Sequence, residues 1–247
     1  VDRRKSTLRC NFCAGKVETC TGDTFMQNGY ARSEAKARTG IETMVVRFEP
    51  VRLPKSLRSP DQDVLDAFMS LRKSVFADGK NWRVWLSCRS DLDQYDHLDA
   101  YYIIAFDPAT GEALAGARLL RTDRGGRHPG RSEMTYMVRD AVRGMLPGLP
   151  ADLCDEEPPC DPAVWELTRF ASNGAAGAGQ LVLQRLRTFL QELGGERFVF
   201  LSPPVVARLA KSSGFANVVP LGPLRGDQNG KYRVYSADVP QPGSSEA

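Results

Sequence analysis

The sequence predicts an α/β (α+β) domain built around a mixed β-sheet, and three observations carry that prediction. Tyr101-Tyr102-Ile103-Ile104-Ala105-Phe106, the turn Asp107-Pro108-Ala109-Thr110-Gly111 and the segment Ala113 to Leu120 read as an antiparallel hairpin. From about residue 163, strand-like and helix-like periodicities alternate, which brings parallel pairing into the sheet. The chain then reaches an alternating strand over Lys231 to Val239. A hydrophobic fraction of 42% with 26% charged residues fits a water-soluble globular chain with a sizeable core.

The elements follow in order. Residues 1–43 are rich in Arg, Lys, Thr, Gly and Ser without helical or strand periodicity, and read as a disordered or loosely attached tail. Met44 opens the folded region, residues 44–239, with the short strand Val45-Val46-Arg47-Phe48, and is itself a plausible alternative translation start. Ser59-Pro60-Asp61-Gln62 has the form of a capping box, and Val64, Phe68, Leu71 and Val75 then recur at helical spacing. After the hairpin, the many Gly, Pro, Arg and Asp residues of 121–162 predict a long irregular connection with a short helix around Met137 to Met145. A strand over 163–171, a glycine-rich loop and a helix over 180–193 come next, the helix stopped by Gly194. A strand at Arg197 to Leu201 leads to a helix opened by Ser202-Pro203 and closed by Gly214. Residues 240–247 read as a frayed tail.

Composition excludes several classes. A formal charge of +3 is too small and too evenly spread for nucleic acid as the main partner. No apolar run approaches the ~18 residues of a membrane span. The charged start Val1-Asp2-Arg3-Arg4-Lys5 is not followed by the apolar core of a secretory signal, so the expected location is the cytoplasm. Cys10, Cys13, Cys20, Cys88, Cys154 and Cys160 are too scattered for a disulfide framework. Cys10 and Cys13 have a metal-type spacing, but a zinc site needs four ligands and only Cys20 is near, so no metal is expected.

Three constellations carry potential chemistry. Val164-Trp165-Glu166-Leu167-Thr168-Arg169-Phe170 places charged groups in a strand, with Glu166 and Thr168 on one face and Trp165, Leu167 and Arg169 on the other. Charges in such a strand mark either a polar cleft or a solvated edge. Asp91, Asp93, Asp96 and Asp99 lie close in sequence and repel unless cations offset them. Arg72, Arg118 and Arg169 are the internal candidates, a cationic substrate is the functional alternative, and a solvated acidic loop is the plain one. Gly174 to Gly179, between a strand and a helix, suits either an anion cradle or a flexible connection.

Arg72, Phe76, Trp82, Asp93 and Asp96, then Arg118, then Glu166 and Arg169 in Glu166-Leu167-Thr168-Arg169-Phe170, together resemble the ordered signature of the acyl-homoserine lactone synthases. The resemblance runs from about Met44 to Val239, with Leu221-Gly222-Pro223 similar to a turn of that family. Asp91 stands where Glu is usual and Thr168 where Ser is common, and both keep the functional group. Gly177-Ala178-Gly179 resembles the pyrophosphate loop of Gcn5-related N-acetyltransferases, with Gly174 where a Gln or Arg is usual.

The resemblance implies a twisted, largely antiparallel mixed sheet flanked by helices, similar to the Gcn5-related N-acetyltransferases. It implies an acyltransferase of quorum sensing that uses S-adenosylmethionine as a substrate rather than a cofactor, with the acyl group supplied by an acyl carrier protein or acyl-coenzyme A. By resemblance the base that deprotonates the amine is Glu166, with Asp93 as the competing candidate. Asp91, Asp93 and Asp96 would favour the cationic groups of S-adenosylmethionine, and Arg72 would pair with its carboxylate. Phe76 and Trp82 would contact the adenosyl group or pack in the core. Arg118 and Arg169 would organise the site by holding the carboxylates in ion pairs, and Thr168 would be a substrate-binding position. Apolar residues of the strand Arg197 to Leu201 and of the helix after it would line the acyl pocket.

Overall fold

The computed structural model of the chain describes residues 40–48, 59–78, 92–125, 134–241 and 243. Its elements are β1 (Glu42–Arg47), α1 (Pro60–Arg72), β2 (Tyr101–Phe106), β3 (Ala113–Arg121), α2 (Met137–Val142), β4 (Val164–Ser172) and α3 (Ala178–Glu192). β5 (Arg197–Ser202), α4 (Pro204–Ser212), β6 (Ala216–Pro220), β7 (Arg225–Asp227) and β8 (Gly230–Asp238) complete the order. A π-helical stretch, Lys73–Asp78, continues α1. The expectations for residues 1–39 of the amino-terminal tail and for Cys10, Cys13, Cys20 and Cys88 lie outside the described residues.

The strands form an 8-stranded sheet in the order β1-β2-β3-β4-β5-β8-β6, with β7 on β8. Every neighbouring pair is antiparallel except β4 with β5, which is parallel. Antiparallel neighbours need only a tight turn, as between β2 and β3, where Gly111 N–H closes on the Asp107 carbonyl at 2.7 Å. The parallel pair requires a crossover, which α3 supplies.

The hairpin is buried on both faces because its apolar run has no polar alternation. Tyr102, Ile104 and Phe106 face one core with Val64, Leu65, Phe68 and Met69 of α1. Ile103 and Ala105 face the other, with Val182, Leu183, Leu186 and Leu190 of α3. The first core holds Arg72, Arg118 and Glu166 among its buried charged groups, so one face of the sheet is oily and the other carries the chemistry.

Three expectations are corrected. The sheet begins at Glu42, earlier than the Met44 boundary. α1 starts where the sequence predicts, but Ser59 makes no side-chain cap bond; the Gln62 N–H that such a cap would take donates instead to the Ser59 carbonyl at 3.1 Å. β6 and β7 were not anticipated, since five- and three-residue segments pairing only with β8 carry too short a pattern to read.

The Leu221-Gly222-Pro223 turn has a packing role. Leu221 bonds Val234 and accepts from Asp155 N–H, both at 2.9 Å, which clamps the 153–155 segment to β8. A Cβ on Gly222 would overlap the Leu153 carbonyl oxygen and come within 2.7 Å of the Cys154 Cα. Both are backbone atoms, which yield less easily than a side chain. Gly222→Ala is expected to lower unfolding free energy by about 2 kcal/mol, read by denaturant titration.

Candidate active site

The site begins with an irregularity in β4. Arg118 pairs with Thr168 and Gly116 with Ala171, so β4 carries an extra residue opposite Ala117. Arg169 absorbs it with a positive φ of 54°. Strict alternation puts Arg169 on the face of Trp165 and Leu167; the bulge instead turns it to the face of Glu166 and Thr168, where it meets Asp93. This overturns the simple strand reading of that residue.

On that face three guanidiniums and two carboxylates form one network. Arg72 binds Asp96 through both terminal nitrogens, at 2.9 and 3.1 Å. Arg118 reaches Asp93 at 2.5 Å, Asp96 at 2.8 Å and the Thr168 hydroxyl at 3.0 Å. Arg169 donates twice to Asp93, at 3.0 and 2.6 Å. Tyr102 donates its hydroxyl to Asp96 at 2.5 Å, and Asp93 N–H donates to the same residue at 2.8 Å. Arg72 also faces the rings of Phe68 and Tyr102, while Arg169 lies over Phe76 at 5.2 Å from the ring centroid.

The side chains of Arg72, Arg118 and Asp96 are fully buried. Burial alone disfavours ionised Asp93 and Asp96. Arg118 is the largest opposing influence on both; together with Arg169 and Arg72 it holds Asp93, and together with Arg72 and the Tyr102 hydroxyl it holds Asp96, below the usual range. Asp99 instead is partly exposed and lies 3.5 Å from Arg47. The aspartate loop is thus a buried, compensated structure rather than a solvated one.

Glu166 sits beside this network in a different environment. Its side chain is fully buried, and its two oxygens accept from the backbone N–H groups of Met137, at 3.1 Å, and Val138, at 2.8 Å. Desolvation raises its pKa to about 7; the Val138 amide, Arg118 and the Met137 amide pull the other way. A carboxyl poised near neutrality among carboxylates held ionised is the electrostatic feature of this face.

Beyond Leu167 and Phe200 the parallel pair is no longer hydrogen-bonded, and β4 continues along β3 while β5 continues along β8. A cleft of about 850 Å³, partly open to solvent, lies at this divergence. Leu167, Phe200, Leu201 and Val206 line it, with Phe76, Met137, Thr168 and Arg169 on the side of the charge network and Asp227, Asn229 and Lys231 from the β7–β8 hairpin. Met137 and Thr168 belong both to this wall and to the surroundings of Glu166 and Arg118. Gly177, with a φ of 78°, caps α3, and Gly179 lies inside the helix against the Phe170 ring.

The structure therefore brings Arg72, Phe76, Asp93, Asp96, Arg118, Thr168 and Arg169 together, with Glu166 alongside. Trp82 and Asp91 lie outside the described residues. Tyr95, Tyr102, Thr135 and Asp140 were missed by sequence reasoning. Tyr102 reads as one more apolar strand residue, and Asp140 falls in the stretch read as irregular.

Fold and site define an α/β domain with a cleft at an opening of the sheet, bordered by buried charged groups. The autoinducer synthase family matches residues 56–126. An acyl-homoserine-lactone synthase of Acinetobacter nosocomialis is 29% identical over 160 residues, covering 60% of this chain and 78% of that protein. One of Pseudomonas aeruginosa is 30% identical over 132 residues, covering 51% and 57%. Among solved structures, TofI in a ternary complex with an inhibitor and MTA shares the fold at a TM-score of 0.60 and 22% identity, over 80% of this chain and 91% of that one. The coenzyme A-dependent acyl-homoserine lactone synthase BjaI, with SAM and isopentyl-CoA, does so at 0.58 and 20% identity, over 81% and 84%. The chain is similar to the autoinducer synthases, through the family match at residues 56–126 and through these relatives.

Proposed function

We infer that this chain is an acyl-homoserine lactone synthase, joining the acyl group of a thioester to the amino group of S-adenosylmethionine. The carrying observation is that side chains from α1, the aspartate loop, β3 and β4 converge on one buried network bordering an apolar cleft.

The chemistry follows from the groups. An α-amino group has a pKa of roughly 8 and must lose a proton before its lone pair attacks the thioester carbonyl. Glu166, with its pKa near 7, suits that role, directly or through one water. Asp93 suits it less, because Arg118 and Arg169 occupy its oxygens and suppress its proton affinity. Collapse of the tetrahedral intermediate expels the thiolate. The substrate carboxylate then attacks the methylene carbon bonded to sulfur, closing the lactone as the sulfonium leaves as methylthioadenosine.

The expected pairing of Arg72 with the substrate carboxylate gives way here to a supporting role, since its guanidinium is buried against Asp96. Phe76, stacked on Arg169 at the cleft wall, contributes substrate-facing surface. The acyl chain would lie along Leu167, Phe200, Leu201 and Val206.

Among the described residues no helix is long and apolar enough to cross a membrane. Both substrates are metabolites of the cytoplasm, where we place the protein. The test is incubation of the purified chain with S-adenosylmethionine and either an acyl carrier protein thioester or an acyl-coenzyme A. Methylthioadenosine and an acyl-homoserine lactone should appear together with one of the two donors. Acylation of other amines without methylthioadenosine would point to a different N-acyltransferase.

A further inference from the structure

Two buried groups outside the network described above join its two halves. Asp140, in α2, is fully buried and accepts the Tyr95 hydroxyl at 2.8 Å. It also accepts the Thr135 hydroxyl at 2.9 Å and the Thr135 N–H at 2.9 and 3.0 Å. Tyr95 belongs to the aspartate loop. Its N–H donates to Asp93 at 2.9 Å, and its ring faces Arg118 with the guanidinium carbon 5.5 Å from the centroid. Through this one hydroxyl the Asp93–Asp96 loop is tied to the start of α2, whose Met137 and Val138 amides hold the Glu166 carboxylate.

We propose that Tyr95 and Asp140 are a positioning pair for the reaction: their hydrogen bond fixes α2 against the aspartate loop and so fixes the two amides that orient Glu166. The inference rests on Glu166 being the base of the proposed function. A side chain aimed by two backbone donors depends on where that backbone sits, and α2 has only 6 residues with which to hold itself in place. The tether supplies the missing constraint, because Asp140 bonds both Thr135, just before the helix, and Tyr95, across the site.

Among the described residues, Arg118 from β3, Asp140 and Tyr136 from the α2 segment, and Tyr95 from the aspartate loop are charged and titratable groups facing Glu166. Arg118 and the two amides favour its ionised form, while Asp140 disfavours it. The two members of the pair therefore have opposite signatures. Tyr95→Phe keeps the ring but frees α2, weakens amide donation and raises the pKa of Glu166. Asp140→Asn keeps the shape and a hydrogen-bonding group but removes the negative charge, which lowers it. A base works when ionised, so activity rises with pH through its pKa. The acidic limb should move up in the first variant and down in the second, and the substrate amine, common to both, cancels in the comparison.

The experiment is the pH profile of kcat and kcat/KM for methylthioadenosine release by the full chain and both variants, with hydrogen exchange of the peptide containing residues 134–142. Tyr95→Phe should lower kcat about tenfold, the value of one lost hydrogen bond, with KM for S-adenosylmethionine little changed and faster exchange at residues 137 and 138. Limbs that stay in place in both variants, or a rate loss that only tracks lost thermal stability, would overturn the pair's role. If Tyr95→Phe does not fold, the Asp140→Asn limb decides alone. A wild-type chain that releases no methylthioadenosine refutes the functional reading instead, and the exchange rates still judge the tether.

Discussion

Glu166→Gln is expected to reduce acyl transfer by about 100- to 10,000-fold while the protein stays folded, the range for loss of a positioned general base. Glutamine matches the shape of glutamate and its oxygen can accept one of the two α2 amides, so the local structure survives. It cannot take a proton at neutral pH. Stability moves the other way. The folded pKa of about 7 lies above the ordinary carboxyl value of 4.5, so the native state holds the proton more tightly than the unfolded chain. The ionised, buried carboxylate therefore destabilises the fold increasingly as pH rises from about 4.5 to 7, by up to about 3 kcal/mol. Denaturant unfolding of both proteins at pH 5 and pH 8 should show the glutamine variant gaining on the wild type at the higher pH. Near-normal lactone formation by the folded variant would remove Glu166 from the mechanism.

Arg118→Met is expected to give the largest loss of stability, about 3–5 kcal/mol, because it leaves buried carboxylates without their shared cation. Arg118 spans Asp93, Asp96 and Thr168, and its side chain is fully buried in the sheet. Against the 5–15 kcal/mol available to a typical domain this approaches unfolding. Arg118→Lys should rescue little, since one ammonium cannot reproduce a planar fork with three separate targets. The pH dependence has the sign opposite to that of Glu166. Asp93 and Asp96 are held below their ordinary values, so their stabilisation is complete above about pH 4 and is lost as pH falls toward the folded values. The variant should accordingly lose much of the wild type's stability difference between about pH 5 and strongly acid pH, below about 4. A loss under about 1 kcal/mol in urea titrations would mean the network is solvated and weak.

Periodicity made most of the fold legible. The hairpin at residues 101–121, the β4–α3–β5 crossover and α1 each carry a repeat long enough to declare its type, and the outcome differs from expectation at their ends and at the bulge inside β4. The charged residues of the site were legible through their order along the chain, which a sequence keeps even when the groups lie 76 positions apart, as Asp93 and Arg169 do. Tyr95 and Tyr102 escaped notice because an aromatic near a strand reads as core, and only a neighbouring carboxylate turns its hydroxyl into part of a site.

By itself the sequence determined the elements, their faces over regular stretches and the inventory of acids, bases and cations. Only the tertiary structure decided which way Arg169 points, because the bulge in β4 arises from register against β3 rather than from any residue of β4 read alone. It also decided that two kinds of carboxylate share one face. Proton affinity is set by what surrounds a group: arginines hold Asp93 and Asp96 ionised, while removal from water and only two amide donors leave Glu166 near neutrality.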